Sequence, residues 1–205
     1  HDLIREVIRA HKRIIFNGNG YDEDWIREAT EVRGLLNLRT TPDALPTILE
    51  KKNVDMLTSL KIFTLPEIRS RYEITLENYC KTVLIEAETM VDMARKEILP
   101  AVERYARALS DSLLAKTAAV PGLACRYERE LISRLSAATD EIDALASSAL
   151  TVRGTENVTA AARLIRDDLL PRMAELRVVC DEAETVTDES FWPFPTYGKL
   201  LFGVK

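Results

Sequence analysis

Only seven of the 205 residues are glycine, and they leave long stretches unpunctuated: none falls between Gly34 and Gly122, between Gly122 and Gly154, or between Gly154 and Gly198. A β-sheet protein of this length needs a turn about every ten residues, and turns draw heavily on glycine. Period-two alternation is missing too, whereas apolar residues recur at one-turn spacings. These features predict an all-α chain. Its expected form is a long antiparallel three-helix bundle running up-down-up, with short helices before it and an irregular aromatic tail after it.

The pattern sets boundaries at residues 1–63 for the short helices, 64–189 for the bundle and 190–205 for the tail. The chain opens without methionine, already in helical pattern, as expected of a segment of something larger. A first helix runs to about Ile15, with Arg5, Arg9, Lys12 and Arg13 towards its end, where the helix dipole favours cations. Asn17-Gly-Asn-Gly20 stops it. Asp22 caps a second helix that Gly34 ends, and Thr41-Pro42 starts a third piece, broken near Pro46 and again near Asn53. Thr64-Leu-Pro-Glu67 reads as a capping box with proline in the first turn, opening a helix to about Thr117.

In that helix Tyr72, Leu76, Tyr79, Val83, Met90 and Met93 fit a seven-residue repeat, which puts Glu86 on the apolar seam. After the turn at Val120-Pro-Gly122, Leu131, Leu135, Ala138, Ile142, Leu145 and Ala149 form a second seam. After Arg153-Gly154 the third runs through Val158, Ala162, Ile165, Leu169, Met173, Leu176, Cys180 and Ala183, with a stutter beside Pro171. Pro100 and Pro171 have similar neighbours, so paired kinks at nearly one height are expected.

The tail holds Phe191, Trp192, Phe194, Tyr197 and Phe202 among two prolines and a glycine, so it cannot prolong a helix. That much apolar surface must dock, on its own domain or on something beyond it. A net charge of −5 with 30% charged residues draws the chain as a whole towards neither nucleic acid nor anionic lipid. No apolar run reaches the roughly 18–20 residues needed to cross a bilayer. Cys80, Cys125 and Cys180 sit in apolar contexts and read as buried thiols of a reducing cytoplasm.

A reaction centre is not evident, and the expected catalytic, cofactor-binding and metal-ligating residues number none. His1 and His11 are the only histidines, so a Ser-His-Asp or Cys-His arrangement is not expected and a histidine-rich metal site is excluded. Asn17–Gly20 reads as a helix-ending turn rather than a phosphate cradle, lacking a third glycine and a preceding strand. Glu86 reads first as a carboxylate paired with an arginine across the bundle. Its other reading, a general acid or base, has no second acid or histidine to support it.

Several stretches together, residues 11–26 (HKRIIFNGNGYDEDWI), 33–38 (RGLLNL), 70–82 (SRYEITLENYCKT), 85–90 (IEAETM) and 191–203 (FWPFPTYGKLLFG), resemble the C-terminal region of type III glutamine synthetases. The resemblance fades between about Ser110 and Ala160. It implies a cytoplasmic parent enzyme that makes glutamine from glutamate and ammonia. ATP phosphorylates the γ-carboxylate, magnesium neutralises the phosphates and ammonia displaces phosphate. It also implies that the catalytic groups lie on a β-barrel upstream, in a homo-oligomeric ring, with the present segment non-catalytic and serving assembly or active-site support. The implied partners are the upstream catalytic domain and neighbouring subunits, with no nucleic acid and no membrane. An independent helical interaction module is the alternative, and a free-standing enzyme using Glu86 a remote third reading.

Five acids lie between Asp181 and Glu189 without a base, at a helix C-terminus where acids are unfavourable. They are expected to face a basic surface, either Arg5–Arg13 or a partner subunit. Reversing two of them to lysine should then weaken assembly, which unchanged oligomer mass and melting temperature would refute.

Overall fold

The computed structural model describes residues 1–135 and 138–203, and within them all side chains but those of residues 135, 138–140 and 197. No strand occurs among the described residues. The chain divides into two compact units, His1–Arg39 and Thr40–Lys205.

In the first unit α1 (Asp2–His11) passes into a 3₁₀ turn, and α2 (Glu23–Arg27) passes into a wide π-turn, Glu28–Val32. The Asp22 carboxylate accepts from the Asp24 N–H and so caps α2. Gly34 follows with φ 65°, a left-handed stop that a β-carbon would strain. Only Ala29 is buried here.

The second unit starts with α3 (Thr41–Ala44), a 3₁₀ turn at Leu45–Leu49, and α4 (Lys51–Ser59). The break falls at Glu50, whose ψ of 141° is extended, and not at Asn53. Asn53 lies inside α4, and its side-chain amide donates back to the Thr47 carbonyl at 2.7 Å. The helix bridges to the preceding turn instead of ending.

The Thr64–Glu67 capping box is formed: the Glu67 carboxylate accepts from the Thr64 N–H and hydroxyl at 2.7 and 2.8 Å. These hydrogen bonds hold its pKa below the ordinary carboxylate value. It opens α5 (Leu65–Met93), which continues through a π-turn, Ala94–Ile98, into α6 (Leu99–Ala119). Beyond the turn at Gly122, φ 86°, come α7 (Arg126–Leu135) and α8 (Ala138–Arg153). Then α9 (Val158–Leu164) runs through a second π-turn, Ile165–Leu169, into α10 (Leu170–Val186).

Both π-turns end two residues before a proline. Proline lacks the N–H that would bond the fourth residue back, and its ring strikes that residue's carbonyl. A wide turn adds one residue and moves the carbonyl aside, so each helical run passes its proline without a break. The stutter beside Pro171 is the sequence trace of that extra residue. The prolines are not level. The Cys80 thiol meets the Val158 carbonyl at 3.8 Å, an offset of 78 in sequence, while Pro100 and Pro171 differ by 71. Seven residues of stagger amount to about 10 Å of helix.

Helix α5 meets α8 through Glu88–Arg153, and Arg95 at the start of the π-turn reaches Asp143 of α8 at 2.6 Å, so numbers rise along one run as they fall along the other. Beneath these ion pairs one cluster joins Val83, Ala87, Val91 and Ala94 to Ile142, Leu145, Ile165 and Leu169. Leu145, Ile165 and Leu169 are fully buried, each contributing about 1.5–3 kcal/mol through burial. A second cluster gathers Ile98, Val102 and Ala183.

The seven-residue reading of α5 requires correction. Glu86 is exposed, and Ala87 takes the core position at 0% exposure. Leu76, Ala87 and Ile98 are eleven apart, as are Val83 and Ala94, and Val91 and Val102. Eleven residues make three turns of 3.67, close to an unsupercoiled helix. The register therefore advances past Glu86. The second and third seams keep their expected members among the described side chains; Leu135 and Ala138 lie outside them.

Substitution at these two neighbours should separate the registers. Ala87→Glu is expected to cost at least about 3 kcal/mol through an unpaired buried charge, and Glu86→Ala to stay within about 0.5 kcal/mol. Urea unfolding of the chain measures both, and the reverse ranking would restore the seven-residue register.

Candidate functional site

In the first unit the Phe16 and Trp25 rings stack with centroids 3.9 Å apart. The Arg33 guanidinium lies 6.0 Å from the Phe16 ring centre and 5.0 Å from that of Trp25. Arg33 also donates to the Glu28 carboxylate at 2.9 and 2.5 Å and to the Arg13 carbonyl at 3.0 Å. A planar guanidinium can stack and form a fork to a carboxylate at once, which lysine cannot do. The knot ties the end of α1 to α2.

The same knot explains Asn17–Gly20. A β-carbon on Gly18 would sit 2.4 Å from the Phe16 ring, and that ring is held by Trp25. Asn19 turns the chain, its side chain accepting from the Tyr21 N–H at 3.1 Å. Glycine is required here for aromatic packing. Composition flagged the turn, but nothing in spacing pointed to Arg33; the signal was a cation and two rings within 18 residues.

In the second unit the tail leaves α10 through a turn at Asp188. That carboxylate accepts from the Ser190 hydroxyl and, at 2.9 Å, from its N–H, and these bonds hold its pKa below the usual aspartate value. Phe191 then meets Tyr105 with ring centroids 5.3 Å apart. Trp192 and Phe194 contact each other edge-on at 6.3 Å and pack on the Ile98–Val102–Ala183 cluster. The near half of the tail therefore docks on its own unit. The far half does not: on α11 (Tyr197–Phe202), Leu200, Leu201 and Phe202 stay exposed. Between the tail and the helices it packs on lies a groove of about 350 Å³, walled by Met90, Met93, Ile98, Cys180, Trp192 and Phe194.

Of the acids at the end of α10, Asp181 pairs with Arg177 and Glu189 with Lys199 of the tail. Arg166 joins Asp43 of α3 to its own neighbour Asp167, which raises its pKa. Buried Glu128 pairs with Lys116 across the Gly122 turn, and the hydrogen bond between them lowers the glutamate pKa and raises that of lysine. Buried Ser148 donates to Asp168 at 2.5 Å. The Arg166 and Glu128 pairs leave no mark in the sequence pattern, because their partners are 123 and 12 residues away.

Burial pushes the Cys80 and Cys180 thiols up, away from the thiolate a nucleophile needs. His11 is exposed on α1, and Glu86 is exposed on α5. Glu141 Oε2 is buried without a hydrogen-bond partner. Among the described residues no group of three or more His, Cys, Asp or Glu is placed to hold a metal ion. No helix among them is long and apolar enough to cross a membrane.

What these features define is an all-α domain, built on buried apolar seams, a cation–π knot and a tail whose near half packs on its own unit. The chain belongs to the glutamine synthetase C-terminal domain family, whose pattern residues 1–117 match. It is 37% identical over 208 residues to a glutamine synthetase of Butyrivibrio fibrisolvens, covering 100% of this chain and 30% of that protein. Identity is 27% over 208 residues to a type-3 glutamine synthetase of Dictyostelium discoideum, covering 98% of this chain and 28% of the relative. A glutamine synthetase of Bacteroides fragilis is 29% identical over 219 residues, with 98% and 28% covered. The chain thus spans less than a third of the length of these relatives.

The Asp188 turn is expected to make tail docking pH-dependent. A depressed folded-state pKa adds stability above the usual aspartate value near 4, lost as pH falls through the folded value. Acid titration should shift the Trp192 indole N–H signal below about pH 4, and Asp188→Asn should abolish that step. An indole signal insensitive to acid would refute it.

Proposed function

We propose that this chain is the helical C-terminal domain of a type III glutamine synthetase, itself non-catalytic and serving assembly or active-site support. In this reading the parent is a cytoplasmic enzyme that ligates ammonia to glutamate at the expense of ATP. The observation that carries it is coverage: the whole chain aligns with the Butyrivibrio enzyme yet accounts for only 30% of it. The rest of such an enzyme has room for the reacting groups. The type III assignment draws on the relative from Dictyostelium together with the N-terminal and tail stretches.

The helical runs 65–119, 126–153 and 158–186 act in this reading as an up-down-up bundle, a stiff strut whose rise is about 1.5 Å per residue. ATP and magnesium belong in this reading to the parent's upstream domain and not to this chain. The Gly18 turn is filled by Phe16, and among the described residues no carboxylates gather at metal spacing. Magnesium takes near-octahedral oxygen ligands and phosphate oxygens, which the upstream domain of the parent supplies. Its partners are that upstream domain and neighbouring subunits of a ring.

The test compares two proteins. The purified 205-residue chain should show no γ-glutamyl transfer, while the intact polypeptide carrying it should form glutamine with ATP. Transfer by the chain alone would overturn the non-catalytic assignment. An intact gene product lacking a β-rich, glutamate-bearing segment would instead favour an independent interaction module.

A further inference from the structure

We propose that the apolar stripe of α1 seats on the catalytic part of the same longer polypeptide; this rests on the reading above and names the surface that joins the two. Leu3, Ile4, Val7 and Ile8 are 72%, 61%, 49% and 48% exposed. At 100° per residue they fall on one face of α1, with His11 in line, and Ile14 and Ile15 follow in the next turn, also exposed. No residue of α1 is buried. Such a face is an interaction surface and not a stable boundary with water.

The stripe is also held ready. The Arg33 guanidinium binds the Arg13 carbonyl, so the knot on Phe16 and Trp25 fixes the end of the helix, and less ordering remains for docking.

One observation selects the occupant. The relatives are more than three times as long as this chain, so in the reading above a large partner lies within the one polypeptide.

Val7→Cys, labelled with a maleimide and quantified on its own peptide, tests the idea. The cysteine should label readily in the 205-residue chain and at least about tenfold more slowly in the intact polypeptide, at every subunit concentration. Equal rates in the two proteins would overturn the proposal. So would slow labelling already in the 205-residue chain, which puts the cover inside this chain. Protection lost on dilution would assign the stripe to a second copy and overturn it equally. Glutamine formation by the intact polypeptide is scored separately, so failure here and failure of the enzyme reading give different results.

Discussion

Burial of a single stripe along the helical run from Leu65 to Ala119 is the constraint on which the second unit depends. Leu76, Val83, Ala87, Val91, Ala94, Ile98 and Val102 all lie on it, and α8, α9 and α10 take their places by covering it. A helix this long cannot keep one face inward on a strict seven-residue spacing without supercoiling. This one advances by eleven. The small side chains of Ala87 and Ala94 are buried in the first cluster, which is why a glutamate one position away is harmless and one at position 87 would not be.

The two prolines show how a local rule and a global need are reconciled. Each removes one hydrogen bond and crowds one carbonyl, yet Ile98 and Leu169, the last residues of the two π-turns, are both buried. An extra residue per turn relieves the clash and keeps the apolar stripe inward. Because the wide turns are staggered, the two helical runs are not disturbed at one level.

Electrostatics plays a secondary part. Most ion pairs, such as Lys81–Glu77 and Lys96–Asp92, are solvent-exposed neighbours on one helix and contribute little. Those between elements act as positional ties: Arg166 draws α3 onto the π-turn between α9 and α10, and Glu128 with Lys116 closes the Gly122 turn. The Arg33 knot does the same in the first unit, where hardly any apolar side chain is buried.

The residues alone determined that the chain is helical, where its glycine-marked turns fall and that the tail must dock, because glycine spacing, the Thr64 cap and apolar periodicity act over a few residues at a time. They also marked Asn17–Gly20 as a turn, though not the ring that fills it. Only the tertiary structure decided that Ala87 and not Glu86 lies inward, that the prolines sit beside wide turns, and that Phe191, Trp192 and Phe194 settle on their own bundle while Leu200–Phe202 remain uncovered. Those outcomes depend on which face a neighbour covers, and contacts across tens of residues leave no periodic mark in a sequence.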